Sequence, residues 1–417
     1  MSLFNRVFSD SVYGQQVGRL DLLFIFLIII ISSETVMFGT NANHFYLIIR
    51  QLFCLSLVPL LFVKRRFAHS LINTSASMSF GIVLLILLTI SSVVNWEFGP
   101  QCIMRGLIIL AGFYYVKITP VKIFMIAFEQ VVFYIAVAAL LTYVIYLFFP
   151  QLLSFSLPME NVGGYKYYNF IVSCILDNPF SWVINRLQGP FREPGVAIIY
   201  FIYAFAFYLI NSEKTSYSRI AVYILVIVLS FSTTGYIALG ALICFYVLKN
   251  GIEKSSAKEN FAIFLIVITS VCLFIYTDVF SSDSVVFGKL SDEENESTIS
   301  RMASVFTSLD IIVNNPFFGA GIQGSAKLFQ TMNAFKYSAH IVDNTNLYMS
   351  YAATYGILFA SFCTIGIFNF ITHLIQSKVV RYLLCVPLMI VFFGEVMFEN
   401  VFLFILIAYG YNCKKNV

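Results

Sequence analysis

Apolar residues in this chain of 417 come in long runs, parted by short polar clusters and by two long hydrophilic segments. A helix needs roughly 20 apolar residues to cross the hydrocarbon of a bilayer. The runs therefore predict about twelve transmembrane helices, near 20–38, 45–63, 76–94, 102–117, 123–149, 194–211, 219–233, 235–248, 261–279, 346–370, 380–396 and 399–412. The fourth is short and carries Arg105, and only the polar turn Ser232-Thr233-Thr234-Gly235 parts the seventh from the eighth. The first run is too long for the apolar stretch of a signal peptide, and no A-x-A-like site follows it, so it reads as an uncleaved span.

Composition agrees with the pattern. Hydrophobic residues make up 59% of the chain and charged residues 11%, and mean hydropathy is +0.86. The class predicted is an all-α polytopic membrane protein, with residues 1–417 forming one integral membrane domain. Eight scattered cysteines form no CxxC pair and read as small buried hydrophobes rather than a disulfide framework or a metal site. A net charge of +4 is modest, and no nucleic-acid partner is expected.

The lysines and arginines set the sidedness. With the N-terminus cytoplasmic, sixteen of the 25 fall in inside segments, among them Lys64-Arg65-Arg66, Lys214 and Arg219, Lys249 to Lys258 and Lys414-Lys415. That is the asymmetry of the positive-inside rule, and an even number of spans returns the C-terminus to the cytoplasm. Both long hydrophilic segments, about 150–193 and 280–345, then face outward. Apolar residues recur in both, so they are expected to fold back over the membrane surface rather than to be disordered.

Candidate chemistry concentrates in those outer segments. Residues 186–195 read Arg-Leu-Gln-Gly-Pro-Phe-Arg-Glu-Pro-Gly, at the entrance to the sixth predicted span. Pro194 suits the first helical turn, and Glu193 suits the positive helix end. One reading has the arginines snorkelling to lipid phosphates while Glu193 caps the helix. The other makes Arg186 and Arg192 a grip for a phosphorylated, lipid-linked ligand, because guanidinium holds phosphate oxygens bidentately and stays charged. In the second segment Arg301 and His340 flank a glycine-rich turn, Gly319-x-Gly321-x-x-Gly324, read as a loop needing close backbone approach rather than a dinucleotide site. His340 is a candidate proton acceptor with Asp343 to orient it, and surface structure is its other reading. Glu34, Arg105, Glu129 and Glu395 lie within predicted spans and are functional candidates by position, with an Arg105–Glu129 pair as one way to bury two charges. No Walker motif is present, and the first outer loop, Gly39 to His44, has no carboxylate for a divalent metal. Any reaction must be driven by an already activated substrate.

These features resemble the bacterial O-antigen polymerase and ligase superfamily: about twelve spans, two large outer loops, Arg-x-x-Gly-x-Phe-x-Glu-Pro at 186–194, the Ser-Thr-Thr-Gly turn, and Asn-Pro-Phe-Phe-Gly-Ala-Gly followed by His340. The resemblance implies a glycosyltransferase C-like helical fold working at the periplasmic face of the inner membrane without metal or cofactor. It implies transfer of an undecaprenyl-pyrophosphate-linked glycan onto another lipid-linked repeat unit, with a flippase and a chain-length regulator of the same pathway as partners. Carried onto this chain, Arg186, Arg192, Arg301 and Arg105 are pyrophosphate contacts, Arg192 is also catalytic, and Glu193 or His340 is the base. Many relatives have an arginine after the serine of the turn, where this chain has Thr233-Thr234. Ligation of the finished glycan to lipid A–core is the nearest alternative. A flippase is a third, against which stands the lack of an internal repeat.

Overall fold

A computed structural model describes residues 17–66, 75–177, 185–212, 215–253, 296–336, 346–375, 377–397 and 399–412. The chain is mostly helical. Four helices are both long and apolar enough to cross a bilayer: α2 (His44–Arg66), α4 (Pro100–Ile118), α5 (Val121–Phe148) and α6 (Pro194–Asn211). Shorter apolar helices cover most of the other predicted spans: α3 (Ser75–Val94), α7 (Tyr217–Leu229), α8 (Thr233–Glu253), α12 (Ile357–His373), α13 (Lys378–Ile390) and α14 (Val401–Asn412). The expected span at 261–279 lies outside the described residues.

Two expected spans are broken. The first stops as α1 (Arg19–Ile30), turns through Ile31–Thr35 and resumes as a π-helical turn, Val36–Thr40. The tenth divides into α11 (Leu347–Tyr355) and α12 at Gly356, whose φ of +92° only glycine adopts easily, and where a side chain would stand 2.0 Å from the Phe317 carbonyl.

The described chain falls into two compact units. One comprises 1–73, 114–235 and 400–402. Its centre is α5, against which α1, α6 and α7 pack. Aromatic rings run from that centre toward the loop before α6: Phe128 stacks on Phe402 at 4.4 Å, Phe402 meets Tyr200 at 5.3 Å, and Tyr200 stacks on Phe191 at 4.4 Å. Each such pair adds about 0.5–1.5 kcal/mol beyond the area it buries. Phe191 is wholly buried, so the loop is anchored from below at that residue.

The first hydrophilic segment belongs to this unit and holds what the helical class did not predict. A 3-10 turn, Pro150–Phe155, leads into an antiparallel sheet of β1 (Leu157–Glu160), β2 (Lys166–Asn169) and β3 (Cys174–Leu176), in that order. Tyr167 opposes Met159 on one side and Leu176 on the other. Tyr167, Cys174 and Val36 form a small core beneath the sheet. Burial pushes both the Tyr167 hydroxyl and the Cys174 thiol up to about 12.

The second unit comprises 74–113, 236–399 and 403–417. Here α12 packs on α3, α11 and α13, while α9 (Glu296–Asn314) and α10 (Ile322–Lys336) pack together against α11. The amphipathic run at 304–313 thus lies within α9, and Asn314-Asn315-Pro316 ends it, as its turn chemistry predicts.

Candidate functional site

The break in the first span has a local cause. Ser32 Oγ donates to the Ile29 carbonyl at 2.8 Å, and Thr35 Oγ1 donates to the Ile30 carbonyl at 2.8 Å. Such side-chain bonds offer the backbone an alternative to the helical ladder, and two of them within four residues end it. Glu34 is left buried, 3% exposed, in the opened turn.

The partner of that turn is the Arg186–Gly195 stretch. Gly189 (φ +62°) and Pro190 reverse the chain. The Val36 N–H then donates to the Pro190 carbonyl at 3.0 Å and the Arg192 N–H to the Glu34 carbonyl at 2.8 Å, with Thr35 and Phe191 paired antiparallel between them. The side chains follow. Arg192 Nε lies 3.2 Å from Glu34 Oε2, and Nη1 lies 3.5 Å from Glu193 Oε1. Ser33 Oγ donates to the other Glu34 oxygen at 2.9 Å. Glu193 occupies the N-cap position of α6, but its side chain makes no cap hydrogen bond and is half exposed. Its carboxylate serves Arg192 and not the helix end.

Arg186 faces differently. Its Nε donates to the Ser230 carbonyl at 2.9 Å and Nη2 to the Phe231 carbonyl at 3.0 Å, while the Leu187 N–H donates to the Leu229 carbonyl at 2.9 Å. These are carbonyls at the C-terminal end of α7, where a cation also meets the negative helix dipole. Arg186 therefore ties the loop to the Ser232-Thr233-Thr234-Gly235 turn. Beneath, the Cys174 thiol donates to the Gly189 carbonyl at 3.0 Å and the Cys174 N–H to the same oxygen at 2.7 Å, joining the sheet to the turn.

The sequence points to the Arg186–Gly195 stretch and to the Ser-Thr-Thr-Gly turn separately; in the first unit Arg192 joins Glu34 and Glu193, while Arg186 ties the same loop to the carbonyls just before the turn. Two other charges have partners that the sequence reading did not pair. Glu129 pairs not with Arg105 but with Arg219, whose Nη1 lies 2.9 Å from both carboxylate oxygens, while the Tyr223 hydroxyl donates to Oε1 at 3.0 Å. By position Arg219 is a loop cation; in the structure it is 5% exposed.

Arg105 lies in the second unit, where Nε is 3.6 Å from Glu399 Oε1 and the guanidinium meets the Tyr355 hydroxyl. In the same unit the turn Gly319-x-Gly321-x-x-Gly324 opens α10, and the Glu97 carboxylate closes over its N-terminus. It accepts from the backbone N–H of Ile322 at 2.5 Å, Gln323 at 3.0 Å and Gly324 at 2.8 Å. A side chain at Gly321 (φ +80°) would stand 2.6 Å from that carboxylate. The close backbone approach read from the glycines is thus approach to an internal acid. Arg301 lies on α9, and His340 and Asp343 lie outside the described residues.

Residues 220–363 match the family model described as O-antigen ligase. That range runs from α7 to α12 and includes the Ser-Thr-Thr-Gly turn, Arg301 and His340, but not Glu34 or Arg192. No curated protein and no solved structure matches the chain. The match over residues 220–363 supports the O-antigen ligase and polymerase superfamily.

Proposed function

We propose that this protein is a polysaccharide repeat-unit polymerase, moving a glycan from undecaprenyl pyrophosphate onto another lipid-linked repeat unit at the periplasmic face of the inner membrane. The family match supports a glycosyltransferase-like enzyme of the O-antigen pathway. The observation that carries the rest is Arg192, a guanidinium held by a buried carboxylate at the N-terminal end of α6. Such a helix end offers backbone N–H groups and a positive dipole, and an arginine there completes a seat for phosphate oxygens.

In the reaction the bond from the anomeric carbon to the pyrophosphate oxygen breaks, and its electron pair leaves with polyprenyl pyrophosphate. The acceptor hydroxyl oxygen forms the new bond to that carbon and gives its proton to a base. Arg192 stabilises charge growing on the leaving oxygen. Glu193, half exposed beside it, and His340, from the family resemblance, are the candidate bases, and Arg301 is a further phosphate contact. Arg186 supports the seat by fixing its loop to the carbonyls of Ser230 and Phe231. Arg105, paired with Glu399 and Tyr355, is in this reading a lock of its own unit. No metal or nucleotide enters, since the pyrophosphate ester is itself the activated group.

Ligation to lipid A–core shares the donor and the leaving group, and the matched family supports either activity. The Arg-x-x-Gly-x-Phe-x-Glu-Pro stretch favours polymerisation. Deleting the gene separates them on a polysaccharide gel. Loss of a polymerase leaves surface lipid bearing a single repeat, loss of a ligase leaves none attached, and unchanged polymer length overturns both. For the site, Arg192→Lys keeps charge but loses the planar fork, and turnover is expected to fall on the order of 10²-fold.

A further inference from the structure

Glu34 is a carboxylate with no solvent to answer to: its side chain is 4% exposed and that of Arg192 24%. It holds Arg192 at two places, through its carbonyl to the Arg192 N–H at 2.8 Å and through Oε2 to Nε at 3.2 Å. It is itself held, by Ser33 Oγ at Oε1 and by its own N–H to Ser32 Oγ at 3.3 Å. The unwinding of the first span is what brings the acid to this place, because a continuous helix would keep its backbone carbonyl in the helical ladder.

We propose that Glu34 is a positioning residue for the transfer reaction, setting the plane of the Arg192 guanidinium against the leaving pyrophosphate. The inference rests on the reading of Arg192 as the pyrophosphate grip. A guanidinium matches two phosphate oxygens only when its plane is right, and an arginine on a flexible stem does not find that plane unaided. A buried acid on the Nε edge fixes it before the substrate arrives, so that little reorganisation is left for the transition state. The same charge offsets the cost of keeping Arg192 three-quarters buried between turnovers.

The test uses the full chain in lipid nanodiscs, supplied with single repeat units on their lipid carrier extracted from a deletion strain. Release of polyprenyl pyrophosphate is followed against substrate concentration, a readout that polymerisation and ligation share. Glu34→Gln, which keeps the size and removes the charge, is expected to lower kcat about tenfold while KM stays within about threefold. Glu34→Asp, which returns the charge, is expected to recover kcat to within about threefold of the parent. Should Glu34→Gln fail to accumulate, Glu34→Asp carries the test alone, with kcat about threefold down at constant KM. Parental kcat in Glu34→Gln overturns the proposal, as does failure of Glu34→Asp to recover any of the loss. A purely structural pair lowers yield or melting temperature and leaves kcat per folded molecule unchanged, which also overturns it. Arg192→Lys runs in parallel. If it falls while Glu34→Gln does not, the positioning role alone is wrong; if Arg192→Lys keeps its turnover, the pyrophosphate reading fails too.

Discussion

Two glutamates in one unit, Glu34 and Glu129, are each buried and each paired with an arginine, and the pairs are built for different ends. Around Glu129 everything is closed. Arg219 reaches both carboxylate oxygens at 2.9 Å, Tyr223 adds a hydroxyl, Phe133 lies 4.5 Å from the guanidinium, and the side chains are 6% and 1% exposed. Around Glu34 the pair is open on one side: contact is through Nε at 3.2 Å, Arg192 keeps 24% of its surface, and the half-exposed Glu193 stands at its edge. A closed pair locks helices together; an open one holds a cation toward something that is still to come. Burial alone, therefore, does not separate a structural charge from a functional one. Access to the cation does.

Removing one partner of the closed pair is the hardest way to break this contrast. Glu129→Ala strands a buried guanidinium, and a loss of about 3–5 kcal/mol in stability is expected. It should appear as poor accumulation and a much lower melting temperature in detergent, with turnover per folded molecule preserved. The same arginine-to-lysine change at both pairs then sharpens it. Arg192→Lys should leave the melting temperature nearly unchanged while polymer length collapses. Arg219→Lys should lower the melting temperature and keep polymer length. If the two variants trade these phenotypes, the assignment of lock and grip is reversed.

A third acid, Glu97, extends the contrast to the second unit, since backbone N–H groups and not an arginine hold it. Gly321→Ala drives a Cβ to 2.6 Å from the Glu97 Oε2 and 2.8 Å from the Asn95 Cβ, at a φ that L side chains resist. About 1–3 kcal/mol of destabilisation is expected. A melting temperature equal to the parent's would mean that the carboxylate over α10 is not part of the fold's support.

How much of this could be read from residue order follows from how far apart the causes lie. Apolar runs predicted α5 and α6 nearly to the residue, because hydrophobic length is a local property. The break at Ile31–Thr35 was visible in principle: Ser32-Ser33-Glu34-Thr35 puts four polar residues into one run, but a hydropathy sum cannot see that two of their hydroxyls capture backbone carbonyls. Three strands of three or four residues left no pattern strong enough to stand out within a long hydrophilic segment. Arg192 was singled out from its charge at a span entrance. Its partner, 158 positions earlier, stands out only by its place within a predicted span, since nothing in the order of residues pairs them. Arg219 was missed because a cation next to a short loop is counted for sidedness by position, whatever its burial.

The smallest expected effect concerns the floor under the Arg192 loop. Burial raises the Cys174 thiol to about 12, so the folded protein keeps the proton that lets the thiol donate to the Gly189 carbonyl. An unfolded chain releases that proton near the ordinary thiol value of about 8.5. Below about pH 8.5 both states are protonated and stability does not depend on this group. Above it the unfolded state alone ionises, and stability falls by about 1.4 kcal/mol per pH unit until the folded thiol ionises too. Tyr167, also raised to about 12 beneath the same sheet, adds to the fall only above its ordinary value near 10. Cys174→Ser keeps a donor toward Gly189 but ionises in neither state. Melting followed from pH 8 to pH 10 should therefore decline more steeply for the parent than for the variant, the difference being this thiol's share. Parallel declines would mean that the thiol is reached by solvent, and that the loop carrying Arg192 rests on the strand-to-turn backbone bonds alone.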